Sequence, residues 1–136
     1  MTKRSYTRVA WMLVIAVCPL TLLAGCGNTQ SASSTEMRSL VRSDIAEVMA
    51  DIDADQTGVQ MSSNPWDYVA VSPAWRRLVD RGPDALDAIA VEIEESEHSG
   101  LREYLLAMAG NSILGPNDRI SFSTARQWVA QYRSQR

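Results

Sequence analysis

The apolar run near the start of the chain constrains the rest of it most strongly, because such a run must either enter a membrane or be removed. Val9 to Cys18 carries no charge, and after Pro19 the apolar character continues to Leu23-Ala24-Gly25-Cys26. Lys3, Arg4 and Arg8 precede it, and no acidic residue occurs before Glu36. Val9 to Leu23 covers 15 positions, whereas a helix crossing the hydrocarbon core needs about 20 apolar residues. Pro19 weakens a permanent span further, since proline inside a helix removes a hydrogen bond and adds a clash. A basic start, a short apolar centre and small residues at the exit are the marks of a secretory leader.

The exit is more specific. Leu23-Ala24-Gly25-Cys26, a branched apolar residue and two small ones ahead of Cys, resembles the lipobox of bacterial lipoproteins. The resemblance implies recognition of Leu23, Ala24 and Gly25 by a signal peptidase and cleavage just before Cys26. It also implies a diacylglyceryl thioether on Cys26, often with a further palmitate-type chain on the new amino group. One acyl chain binds a membrane only marginally and reversibly, so more than one is needed for a stable anchor. The expected location is the cell membrane or outer membrane, outside the cytoplasm. Gly27 follows the cysteine in place of the Asp that favours inner-membrane retention, which leans towards the outer membrane.

Removal of residues 1–25 changes the charge balance. All 16 acidic residues follow Cys26 against 10 of the 13 basic ones, a net charge of −6, where the whole chain carries −3. Nucleic-acid binding needs a basic footprint, so that class is excluded. Electrostatic adhesion to anionic lipid is also disfavoured, which leaves the lipid on Cys26 as the membrane contact. Cys18 departs with the leader and Cys26 is acylated, so no disulfide is available. A remaining chain of about 110 residues is long enough for one self-sufficient core.

Gly27 to Ser34 is small, polar and uncharged, the composition of a flexible tether, so residues 26–35 are expected to be lipidated Cys plus tether and 36–136 a helical domain. Ser33-x-x-Glu36 has capping-box spacing. Beyond it, Met37, Leu40, Val41, Ile45, Val48, Met49 and Ile52 recur at helical intervals, which predicts a helix over 36–50. Residues 51–72 lack a sustained period, with Tyr68 to Val71 read as a short extended piece. Ser72-Pro73 predicts an N-cap with Pro at the first helical position, and Arg81-Gly82 a helix end. Further helices are expected from Pro83 to about Glu97, from Leu101 to about Leu114, and from about Ser123 to Tyr132, after the turn Gly115-Pro116-Asn117-Asp118. The fold class is all-α, about five short helices packed as antiparallel neighbours.

Within that set, Trp75-x-x-Leu78-x-x-x-Gly82-x-x-Ala85-Leu86-x-x-Ile89 and Gly100-Leu101-Arg102-Glu103-Tyr104-Leu105-Leu106-Ala107 are similar to HEAT-type helical units of bacterial proteins. The likeness covers residues 72–114, one or two helix pairs, and an irregular five-helix bundle is the equal alternative. HEAT-type units imply protein–protein contact on a helical surface and no catalytic residue.

Chemistry-bearing patterns are few. Asp51-Ile52-Asp53-Ala54-Asp55 resembles the start of a calcium loop, but Gln56 and Ser62 stand where the sharp-turn Gly and bidentate Glu are required. It reads as a solvated acidic loop. Glu92, Glu94, Glu95 and Glu97 likewise read as a solvated face. His98 is the sole histidine, which rules out the usual zinc clusters; its place near a helix C-terminus suits the helix dipole. Trp75, Tyr104 and Trp128 fall on apolar stripes and belong in the core. Trp66 lies in the irregular stretch and is the candidate partner contact, since Trp is enriched at binding hot spots. The expected role is non-catalytic binding to another envelope protein, with no metal or cofactor. The alternatives are an envelope enzyme, such as a peptidoglycan hydrolase using Glu or Asp, and an acidic calcium-responsive module. Cys26→Ser is expected to abolish metabolic lipid labelling and leave an uncleaved precursor; continued labelling would contradict the lipobox assignment.

Overall fold

A computed structural model describes residues 29–136, with side chains from Ser33 onward. Leu23, Ala24, Gly25 and Cys26, with the leader and the start of the tether, lie outside the described residues. Among the described residues there are six α-helices: α1 Thr29–Ala54, α2 Pro65–Ala70, α3 Pro73–Asp80, α4 Leu86–Glu94, α5 Leu101–Leu114 and α6 Ala125–Ser134. Single 3-10 turns occupy Val59–Met61 and Gly82–Ala85. The described residues contain no strand, and none of their helices is long and apolar enough to cross a membrane.

Helix α1 begins ahead of the expected 36, so Ser33 and Glu36 lie inside it and do not form its cap. It packs on α3, α4 and α5, and Val41, Ile45, Val48 and Ile52 carry the contact, all buried. Leu40, placed on the apolar stripe by its spacing, faces outward. Asp51 and Asp53 fall within α1, so the expected acidic loop is largely helix.

The stretch after α1 is more regular than its sequence pattern. Asp55 turns the chain by accepting hydrogen bonds from the Thr57 and Val59 amides at 3.0 and 3.2 Å, and Gly58 takes a φ of 85°, a conformation cheap only for glycine. Tyr68 to Val71, expected to be extended, are the last turn and the cap of α2. Asn64 starts that helix by accepting from the Trp66 amide at 3.2 Å, with Pro65 in the first turn. Ser72-Pro73 repeats the arrangement for α3, except that the Ser72 hydroxyl donates to Asp51 Oδ2 at 2.6 Å. That bond ties the α3 entrance to α1.

Helix α4 ends at Glu94, short of the expected 97, which leaves His98 exposed in the connection to α5. Glu103 closes the start of α5 by accepting from the Gly100 amide at 2.9 Å and the Ser96 hydroxyl at 2.8 Å. At the other end, Asn111 accepts from the Ile120 amide and donates to the Ile120 carbonyl, at 3.0 and 2.7 Å. One side chain thereby pins the loop that delivers α6.

One core joins all of these elements. Its largest fully buried side chain is Trp128, which lies against the backbone of Gly110, stacks on Tyr132 with ring centroids 5.2 Å apart, and donates from Nε1 to Asn111 Oδ1 at 3.1 Å. A Cβ at position 110 would sit 2.2 Å from Trp128 Cζ2. Glycine inside a helix costs about 1 kcal/mol against alanine, and here the ring occupies the space that alanine would need. Gly110→Ala is therefore expected to destabilise the domain by about 1–3 kcal/mol in urea unfolding, although it raises helix propensity. Equal or greater stability would contradict the seat of Trp128.

Candidate functional site

Two groups of residues are candidates for function, the glutamate run and the aromatic Trp66, and the fold treats them in opposite ways. Glu92 is not on a solvated face. It is 5% exposed and takes hydrogen bonds from three arginines: Arg42 at 2.6 and 3.1 Å, Arg102 at 3.2 Å and Arg38 at 3.3 Å. Arg38 and Arg42 come from α1 and Arg102 from α5, so a single carboxylate on α4 bonds to both neighbouring helices. Burial by itself raises the Glu92 pKa; the bonds from Arg42, Arg102 and Arg38 outweigh it and hold the carboxyl below its usual range. Glu103 behaves alike, with burial opposed by the Gly100 amide and the Ser96 hydroxyl.

Glu94 and Glu95 are also engaged. Glu94 forms a two-pronged pair with Arg133, both bonds 3.1 Å, and Glu95 meets Arg38. Asp44, 4% exposed, receives Arg81 Nε at 2.6 Å and faces Arg77 at 3.6 Å. A general acid works near neutral pH when its pKa is raised, and the shifts of Glu92 and Glu103 run the other way. In the acidic stretch 51–55, Asp51 accepts from Ser72 and Asp55 from backbone amides. Among the described residues no group of three or more His, Cys, Asp or Glu is placed to hold a metal.

Trp66 stands apart from this network. It is 50% exposed, and Met61, in the 3-10 turn ahead of α2, is 90% exposed. Its indole meets Trp75 edge to face, with centroids 6.5 Å apart and planes at 89°. Trp66 forms part of the wall of two grooves. One, about 620 Å³, runs between α2 and α3 and is lined by Val69, Val71, Pro73, Trp75 and Arg76. The other, about 330 Å³, lies between the start of α2 and α5, lined by Pro65, Tyr104, Met108, Arg119 and Phe122. Tyr104 and Phe122 contact each other at 5.3 Å between centroids. Trp75 and Tyr104 are therefore only half in the core, and each turns part of its ring to a groove. Stripe spacing gives no sign of this, because it assigns a helix face and not how much of a large ring the neighbouring elements cover.

The position of the second groove wall depends on Asn111. Its paired bonds to Ile120 fix the loop that carries Arg119 and Phe122. Tyr68, whose hydroxyl donates to the Ser62 carbonyl at 2.7 Å, fixes the segment before Trp66 in the same way. No family model, no curated protein and no solved structure matches the chain.

The Glu92 cluster has a pH signature. An unfolded Glu titrates at about 4.3, and the folded value is lower. The stabilising contribution is thus complete above the unfolded value and disappears as pH falls through the folded one. Glu92→Gln is expected to cost about 1–3 kcal/mol at pH 7, with the gap from the native protein narrowing in urea unfolding below about pH 4. A gap that stays constant with pH would contradict the ionic role.

Proposed function

We propose that the chain is an exported protein anchored to the membrane by lipid on Cys26, and that its helical domain binds another envelope protein through the face around Trp66. The observation that carries this reading is a half-exposed tryptophan shared by two grooves, with a nearly bare methionine five residues before it. Isolated apolar side chains on a surface need no explanation. A patch with concave sides does, because aromatic anchors seated among pockets are where binding energy concentrates. The resemblance of 72–114 to HEAT-type units supports the same role, since such units act through helical surfaces.

The placement suits an anchored protein. Helix α1 has 26 residues, a length of about 39 Å at 1.5 Å per residue. The Gln60 side chain donates to the Ile52 carbonyl at 3.0 Å, which places the Trp66 segment beside the C-terminal end of that helix. Trp66 thus lies near the C-terminal end of α1, the end opposite to the one that follows Cys26 in the chain. A face displayed there meets a partner across the periplasmic or extracellular space, away from the anchoring bilayer.

Trp66→Ala removes a side chain that is half in water, so the expected change in unfolding free energy is within about 1 kcal/mol. Binding to the partner recovered from native membranes is expected to fall at least about tenfold, as for a hot-spot tryptophan. A partner retained in full by the variant would contradict the reading. So would turnover of peptidoglycan that a single Glu→Gln change abolishes.

A further inference from the structure

Charge is distributed around the two grooves in a way the rest of the surface is not. Ten arginines follow Cys26. Seven of them, Arg38, Arg42, Arg77, Arg81, Arg102, Arg133 and Arg136, pair with carboxylates, and Arg126 donates to the Ser96 carbonyl at 2.7 Å. Arg76 and Arg119 remain, exposed and without a partner among the described residues. Each lines one of the grooves that share Trp66, and no carboxylate lines either groove. In a chain with 16 acidic residues, the apolar face thus coincides with two cations that no carboxylate of the described residues pairs with.

From this juxtaposition we infer that the Trp66 face takes a short protein segment bearing bulky apolar side chains flanked by Asp or Glu, with the carboxylates meeting Arg76 and Arg119. The inference rests on the proposed binding role of Trp66 and adds the chemistry of the partner. Apolar side chains of the segment fill the grooves on either side of the indole. Arginine then supplies a planar, always-charged fork that matches a carboxylate, and the aromatic walls exclude water from part of the pair. An anionic bilayer is the weaker match. Its surface is broad and flat, the domain as a whole carries an excess of acidic residues, and the cations here sit at concave grooves. Charge complementarity of this kind sets partner choice and association rate more than raw affinity.

The test uses the full chain in detergent and a randomised display library of short peptides as the probe. A selected peptide is then measured by fluorescence anisotropy against the native chain, Trp66→Ala, Arg76→Gln and Arg119→Gln. Selected sequences are expected to place Asp or Glu beside Leu, Phe or Trp. Trp66→Ala is expected to weaken binding more than about tenfold, each arginine variant about three- to tenfold, and added salt should shrink the arginine effects. Peptides without acidic enrichment, or with affinity unchanged in both arginine variants but lost in Trp66→Ala, overturn the charge inference and leave the Trp66 reading standing. No enrichment at all, or binding untouched by Trp66→Ala, overturns both. Trp66-dependent binding to vesicles of equal parts phosphatidylcholine and phosphatidylglycerol, without peptide selection, overturns the segment in favour of a lipid surface.

Discussion

The contact between the Trp128 indole and the bare backbone of Gly110 holds the second half of the domain together. It lets α6 approach α5 more closely than any side chain at position 110 allows, and it brings the indole Nε1 to Asn111. Asn111 in turn holds Ile120 by two backbone bonds. Tyr132 stacks on the same ring and donates its hydroxyl to Asp87 on α4 at 3.2 Å. A buried aromatic of this size contributes apolar burial and, through its polar atom, direction. The consequence for function is indirect: the same asparagine that satisfies the indole also sets the loop on which Arg119 and Phe122 wall the second groove. Core packing and the candidate surface share one residue.

Electrostatics divides the domain into two regimes. Away from Trp66, seven carboxylates of the described residues pair with arginines, Glu92 joining three of them and Asp44 two. Buried pairs of this kind add little net stability over apolar packing, yet breaking one is costly. The Glu92 pairs tie α4 to α1 and α5, and the Asp44 pairs tie α1 to the C-terminal end of α3. Around Trp66 the balance is different, because the grooves carry cations without anions. An acidic domain that compensates most of its arginines and leaves two of them beside an exposed tryptophan presents a local surface unlike its average.

Much of the helical order is legible in the chain. Ser72-Pro73 and the Gly115 turn mark boundaries through the physics of caps and of glycine at positive φ, and they fall where the structure has them. Asn64-Pro65 has the same form as Ser72-Pro73 yet reads only as punctuation, because six helical residues follow and no apolar period can show in so few. The early start of α1 is hidden for a related reason: Thr29 to Thr35 has no apolar stripe to detect. Glu92 resembles its solvated neighbours in sequence because its partners Arg38 and Arg42 lie 54 and 50 positions away. Local charge patterning cannot reveal a pair formed by the tertiary fold. Residue type and lack of periodicity alone point to Trp66; the grooves and the free arginines that make it a surface appear only in the packing.

If the domain acts through the Trp66 face, site-specific photo-crosslinking in native membranes should capture the partner there. A photoreactive residue is placed at Met61, which is 90% exposed, and, as a control, at exposed Ala130 on α6. One discrete protein adduct is expected from position 61, lost when Trp66 is also changed to Ala, and none from position 130. Equal adducts from both positions, or an adduct from position 130 alone, would contradict a partner seated at Trp66.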